Sequence, residues 1–572
     1  MNLYSTSKDY REQLSEEKCK KNGIYYTPES IVKLMVKEVL QEKKEYDDIK
    51  ILDIASGCGV FYSEVLNYLI EKNREKKPLL DVKDYISDNL YSVEKDIGSV
   101  EVLKGYLQKN YNLKKGYKNN IVTDDALFPR NKVLKKGMFD IIIGNPPYVG
   151  HKSIDIEYSS KLRKYYPEVY ANKSDIYYCF FKVAIDYLKE GGVASLIVPR
   201  YFLESQSALL VRKFIENNVT IVDIVDFRNS NVFLNGVGVS PCIITFKKNR
   251  SKESEELYKK RDNQSRDSKK TVASLNLPNI RIIKDKKDLE RLLEGKFIIG
   301  NGYMDIDKTS WSLITHREKM IMDAIRKKKS YRLGDIVNNY QGIITGCDKA
   351  FILDNDSEML EDIDKKTKKR WIKSKDINPY FIGNSNKVLI YTDDMEYKDI
   401  PKRYKAQLKN YEKKLSSRRE VLRGIRKWYK LQWGREAKTF EQEKIIYPFK
   451  SKTNRFALDL GESFFSADVY FFTIKDEFKE KISYIYLLSI LNSRVYQIYM
   501  QSFLKKMGNS IYEYYPYRLL ETYILLDESY EEIESLGKRI LLEENEGNVQ
   551  NLMNKIDLIL EKSLNVTDFA KK

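Results

Sequence analysis

The stretch Phe139-Asp140-Ile141-Ile142-Ile143-Gly144-Asn145-Pro146-Pro147-Tyr148 orders the rest of the chain around itself. Its apolar half predicts a buried strand. Two consecutive prolines can extend neither a helix nor a central strand, so the backbone must turn there. The turn projects an amide and a phenol from the carboxyl end of the strand, the edge at which open α/β sheets bind ligands. Asn145 supplies a side-chain carbonyl acceptor and the Pro146 carbonyl a second. Tyr148 supplies a flat face. Two acceptors and an aromatic plane suit a planar ring with an exocyclic NH2. A tight turn that merely ends a strand would use the same four residues, so the surroundings decide.

Upstream, Ile49-Lys50-Ile51-Leu52-Asp53-Ile54 predicts another buried strand, with Gly57 and Gly59 turning into a helix over 60–70. Glycines there let the backbone approach a ligand while an acid at the strand end holds it. Asp53, Glu94 and Asp124 each end such a run. Taken singly, Glu94 and Asp124 also suit a helix N-cap or a turn. Downstream, helical spacing over 176–188 stops at Lys189-Glu190-Gly191-Gly192, and strands are expected over 193–198, 221–225 and 242–246. The alternation predicts a parallel, doubly wound sheet.

Several motifs stand in a fixed order: Gly23-Ile24-Tyr25-Tyr26-Thr27-Pro28, Ile51-Leu52-Asp53-Ile54-Ala55-Ser56-Gly57-Cys58-Gly59, Ser92-Val93-Glu94-Lys95-Asp96, and Thr123-Asp124-Asp125-Ala126. The Asn-Pro-Pro-Tyr turn, Lys173-Ser174-Asp175-Ile176-Tyr177-Tyr178 and Gly191-Gly192-Val193 follow. This order resembles that of the gamma-class N6-adenine DNA methyltransferases, and order is more specific than any one motif. The whole chain resembles the orphan adenine methyltransferases. The resemblance implies S-adenosylmethionine as cofactor, with Tyr25, Thr27, Asp53, Ala55, Gly57, Glu94, Asp124 and Asn145 around it. Asp53 would balance the sulfonium or amino group, Glu94 hold the ribose hydroxyls and Asp124 accept from the cofactor's adenine amino group. It further implies Asn145, Pro146 and Tyr148 as the catalytic turn, acting by direct in-line transfer on an adenine flipped out of double-stranded DNA. Phe233 would stack on the opposite face of that base from Tyr148, or serve as an ordinary core aromatic. The family also has a reversed last strand. Asp125 departs from its pattern, which places a bulky apolar residue there.

At 572 residues and 42% hydrophobic the chain predicts two or three domains with a large core. A net charge of +18 favours a polyanionic partner, although AT-rich coding would give the same bias. There is no run of about 18 apolar residues and no apolar leader segment, so neither a membrane span nor a secreted protein is expected. Five scattered cysteines without C-x-x-C spacing read as reduced thiols and argue against structural zinc. With His151 and His316 as the only histidines, a His-based metal centre and a Ser-His or Cys-His pair are disfavoured.

Residues 251–270 are nearly all polar and read as a connector. A second organised region starts near Tyr331. Tyr340-Gln341-Gly342-Ile343-Ile344-Thr345-Gly346, Lys444-Ile445-Ile446-Tyr447-Pro448 and Leu491-Asn492-Ser493 resemble blocks of target-recognition domains in type IIG methyltransferases. Between them, residues 402–438 hold fourteen basic and three acidic residues, a local +11, interleaved with Trp428, Tyr429 and Trp433. Arg418, Arg419, Arg423, Trp428 and Trp433 are therefore candidate DNA contacts; a solvated helix face is the bland alternative. Leu552, Ile556, Ile559 and Leu560 form the stripe of a core-packing helix.

The expectation is thus an α/β protein: a Rossmann-like doubly wound methyltransferase sheet over 1–250, a connector over 251–330 and a C-terminal α+β target-recognition domain over 331–572. It would act as a monomer in the bacterial cytoplasm, at the nucleoid, on specific sites in double-stranded DNA. No fused nuclease is expected, since only 22 residues precede the first motif and none of the thirteen prolines is followed by Asp. The rivals are an RNA adenine methyltransferase and a non-catalytic DNA-binding specificity protein. The long basic second half argues against a protein-modifying glutamine methyltransferase.

Overall fold

The computed structural model describes residues 3–15, 17, 19, 23, 26–41, 48–74, 81–228, 240–250, 278–296, 300–307, 310–328, 331–507 and 510–566. They divide into two compact units, 1–316 with 507–510 and 317–506 with 511–572.

The first unit is built on an eight-stranded sheet. Its strands are β1 (Ile51–Asp53), β2 (Leu90–Glu94), β3 (Asn120–Thr123), β4 (Phe139–Gly144), β5 (Leu188–Pro199), β6 (Val219–Asp226), β7 (Pro241–Lys248) and β8 (Asn279–Ile282). Their order is β3-β2-β1-β4-β5-β7-β6-β8. All neighbours are parallel except β7, which runs against both β5 and β6, as the family pattern requires. The central strands carry apolar runs, Ile141–Ile143 in β4 and Leu196–Val198 in β5, buried on both faces of the sheet. Ile142, Leu196 and Ile244 enter one core; Ile141, Ile143, Ile197 and Ile243 enter the other.

Three features differ from expectation. The helix Tyr177–Tyr187 passes straight into β5 at Leu188, so Lys189–Gly192 form no separate helix stop. The register jumps from Phe139↔Leu188 to Ile141↔Val193, a bulge made possible by Gly191 at φ +76°. Part of the expected connector is sheet: β8 pairs in parallel with β6, and Gly302–Ile306 pairs with Trp311–Thr315 in an antiparallel ladder. The second unit starts earlier than Tyr331, within the helix His316–Lys328, whose Met322 meets Ser502.

The second unit has two four-stranded sheets. One joins Val337–Gln341, Val469–Ile474, Lys444–Pro448 and Ala457–Asp459; the other joins Ile352–Asp354, Lys387–Ile390, Lys368–Ile372 and Ser463–Phe465. Trp371, Phe440, Phe464, Phe465 and Phe471 fill the core beside them. The helix Glu546–Ser563 buries Leu552, Ile556 and Leu560.

Candidate active site

The order β3-β2-β1-β4 sets four carboxyl ends side by side, and each carries a polar residue: Asp124 after β3, Glu94 on β2, Asp53 on β1 and Asn145 after β4. Ala55, Gly57, Glu94, Asp124 and Asn145 line one cavity of about 640 Å³, within the ~300–1,000 Å³ usual for small-molecule sites. Gly59 starts the helix Val60–Asn73 in the left-handed region at φ +80°. A side chain there would be strained by that φ, and its Cβ would displace Leu103 Cδ1, 2.4 Å away.

The Glu94 carboxylate accepts from the amides of Gly57, Lys95 and Asp96, each at 2.8 Å. Burial still pushes its carboxyl up. The N-cap of the helix Ile97–Asn110 is Asp96, which leaves Glu94 facing the cavity. Asp124 accepts from the amides of Asp125, Arg130 and Asn131 at 2.8, 2.6 and 2.9 Å. It is a turn acid and a cavity wall at once. Burial raises its carboxyl, but the Asn131, Arg130 and Asp125 amides outweigh burial and hold it below its ordinary value. A carboxylate has about four acceptor sites, so one remains for a ligand.

Asp53 does not itself line the cavity, although the next two residues, Ile54 and Ala55, do, and neither of its carboxylate oxygens has a hydrogen-bond partner. Burial, and then the neighbouring Glu94, push its carboxyl up to about 8. The amides of Ala55 and Tyr62 oppose that shift without reaching hydrogen-bond geometry. A buried acid without partners is unfavourable by itself. Beside a cavity it fits a cationic ligand group.

At the turn, Asn145 Nδ2 donates to the buried Thr27 Oγ1 at 3.0 Å, which fixes the rotation of the amide. The Tyr148 amide donates to the Gly23 carbonyl at 3.3 Å. Gly23 has φ +63°, and a Cβ on it would stand 2.6 Å from Tyr148 N. Gly23 and Thr27 therefore brace the turn. The Tyr148 hydroxyl donates to the Ile197 carbonyl at 3.1 Å, its ring meets Tyr177 edge-on, and only 8% of the residue is exposed. Tyr25 and Phe233 lie outside the described residues.

Ile154, Tyr158, Lys161 and Phe180 also line the cavity from outside the motifs, and Lys95, inside one of them but given no role there, joins them. Tyr158, on the helix Ile156–Tyr165, donates its hydroxyl to Asp125 Oδ2 at 2.9 Å, and Lys95 Nζ reaches the same oxygen at 3.1 Å. This accounts for the unusual Asp125: its carboxylate ties three elements together, while Ala126, Leu127 and Phe180 supply apolar lining. The one signal in the sequence was Asp125 itself.

In the second unit the basic run is no single helix face. It folds as the short helices Lys402–Lys409, Glu412–Ser416, Arg419–Leu422 and Ala437–Phe440. Of the candidate contacts, Arg418 is turned inward. Its guanidinium donates to the carbonyls of Leu415, Thr345, Trp428 and Lys430 at 2.8, 3.2, 2.7 and 2.9 Å, so it holds the fold and presents nothing to a phosphate. Trp428 packs against the core and the rings of Tyr397 and Tyr429. Trp433 is half-buried beneath the Arg426 guanidinium. Arg419 and Arg423 are exposed.

This architecture matches known proteins at both ends. Residues 67–233 match the Eco57I restriction-modification methylase family, and residues 369–522 match the TaqI-like C-terminal specificity domain. The chain is type II DNA methyltransferase-like, with a TaqI-like specificity region. It is 23% identical to type II methyltransferase M.BstVI of Geobacillus stearothermophilus, across 86% of this chain and 88% of that one. It is 26% identical to type II methyltransferase M.HindII of Haemophilus influenzae, across 84% and 85%. Among solved structures, the type IIL restriction-modification enzyme MmeI in complex with DNA shares the fold at a TM-score of 0.67 and 15% identity, over 100% of this chain and 80% of that one. Methyltransferase relatives imply S-adenosylmethionine as the cofactor. The residues present fit it: an acid without partners for a cation, a glycine loop for close backbone approach, and Glu94 for hydroxyls. Among the described residues no helix is long and apolar enough to cross a membrane.

Proposed function

We propose that this protein methylates N6 of adenine at specific sites in double-stranded DNA, as a monomer without a nuclease of its own, at the nucleoid. The observation that carries the reading is Asn145. Its amide stands at the carboxyl end of β4, fixed by Thr27, on the same cavity as Glu94. S-adenosylmethionine supplies an electrophilic methyl group. The Asn145 side-chain carbonyl and the Pro146 carbonyl accept from the adenine amino group and so aim its nitrogen lone pair at that methyl. Such positioning of a developing charge is the main catalytic resource of the site, and no covalent enzyme intermediate is needed. The target atom is inaccessible inside a duplex, so the base leaves the stack and packs against Tyr148. Phe233 is the proposed partner on the other face of the base. Tyr25, Thr27, Asp53, Ala55, Gly57, Glu94 and Asp124 form the cofactor side.

The second unit reads the site. Support comes from the local +11 charge over 402–438 and from relatives that are type II methyltransferases or were solved with DNA. Arg419, Arg423 and Trp433 are the contacts we retain there; Arg418 and Trp428 position the segment. The test is sequencing for methylated adenines after incubating DNA, and separately RNA, with the protein and cofactor. Methylated adenine at one recurring DNA sequence supports the reading. Methylation of RNA alone, or of neither acceptor, overturns it.

A further inference from the structure

Residues 418–426 form a tip with an unusual surface. The short helix Arg419–Leu422 is followed by Arg423, then Gly424 at φ +70°, then Ile425. Leu422 is 75% exposed and Ile425 is 58% exposed, and each has an exposed arginine within three residues. A lone exposed leucine is ordinary. In the second unit, however, no other two of the exposed large apolar side chains among the described residues stand within three positions of each other.

The tip is held rigidly. The amides of Ile425 and Arg426 both donate to the Glu420 carbonyl, at 2.9 and 3.2 Å, and the Gly424 amide donates to Val421. On one side the four carbonyls around Arg418 anchor its root. On the other, Arg426 Nη1 binds Asp393 at 2.9 Å and Glu420 accepts from Gln432 at 3.0 Å. A Cβ on Gly424 would meet nothing within 4 Å, so the glycine serves the turn and the space beside it is open.

We propose that Leu422 and Ile425 are a wedge that enters DNA between base pairs, with Arg419 and Arg423 on the flanking phosphates. Apolar side chains on a rigid, cationic support partly unstack a base step and kink the duplex, and the bend brings more of the backbone onto the basic surface. The local +11 charge selects a polyanion over an apolar protein partner. This inference rests on the DNA reading above and extends it to two residues that have no charge to offer.

The test uses the full chain with Leu422→Ser and Ile425→Ser together. Both side chains are exposed, so cofactor affinity and thermal unfolding should match wild type. The probe is a duplex of roughly 30 base pairs carrying the sequence that methylation mapping identifies, labelled at both ends for fluorescence transfer. Wild type should shorten the end-to-end distance. The double variant should leave it near that of free DNA and bind by roughly tenfold less, with a flatter slope of log affinity against log salt because fewer phosphates reach the basic surface. Equal bending and equal affinity in the variant overturn the wedge alone. A wild-type protein that binds no duplex DNA overturns the wedge and the proposed function together.

Discussion

The cofactor cavity and the basic segment over 402–438 were both marked by charged residues, yet only in the first did the marks translate directly into position. Asp53, Glu94, Asp124 and Asn145 sit at consecutive carboxyl ends of one sheet, so the topology alone gathers them. In the basic segment four short helices share the charges, and no single face collects them. Arg418 and Arg419 are neighbours in sequence, but one is locked onto four carbonyls and the other faces solvent. Position on a sheet edge predicts what a residue can reach; charge density predicts only that something anionic is near.

The strongest way to break this contrast is Asn145→Ala. Losing an acceptor that acts mainly in the transition state should slow methyl transfer by ~10²–10³-fold, while cofactor affinity stays nearly intact. Single-turnover methylation within tenfold of wild type would remove Asn145 from the mechanism.

Next in size is Gly23→Ala. A side chain there must adopt φ +63° and stand 2.6 Å from the Tyr148 backbone. Strain of about 1–3 kcal/mol and a displaced turn should depress activity far more than cofactor binding. An active, equally stable variant would show that Gly23 does not brace the turn.

Asp53 sharpens the cavity side. Asp53→Ala and Glu94→Ala should each weaken cofactor binding by ~1–3 kcal/mol, measured by calorimetry. Asp53 also makes a signed pH prediction. Its folded value, about 8, lies above its ordinary 3.8, so the cofactor-free folded state binds a proton that the unfolded chain has lost. That contribution to stability is complete below the lower value and is lost as pH rises toward the upper one. A cation on Asp53 favours the charged form, so cofactor binding at neutral pH should release a proton. Calorimetry in buffers of different ionisation enthalpy should detect the release in wild type and not in Asp53→Asn.

The smallest effect distinguishes the arginines. Arg419→Ala with Arg423→Ala should flatten the plot of log affinity against log salt by ~0.9 for each phosphate no longer neutralised and leave unfolding unchanged. Arg418→Ala should do the reverse, destabilising the second unit by ~1–3 kcal/mol through its uncovered carbonyls. Equal slopes in both would return the segment to a solvated surface.

Much of the first unit was legible because its signals are local and repeated: apolar runs, glycines after strands, and the Pro146-Pro147 break. The reversed β7 came from resemblance, since nothing in its composition specifies direction. β8 was missed because Asn279–Ile282 is four residues long and its partner β6 lies more than fifty positions away. Tyr158 was missed for a related reason. Its role depends on Asp125 and Lys95, each about thirty or more residues distant and drawn in only by the sheet. The reach of Arg418 to Thr345 spans the same kind of distance.

The most direct test of the central claim is mass spectrometry of nucleosides from DNA treated with S-adenosylmethionine and either wild-type protein or Asn145→Ala, both first shown to bind the cofactor. The account predicts N6-methyladenine with wild type and almost none with the variant. A methyl group on another base, or equal N6-methyladenine from both proteins, would contradict it.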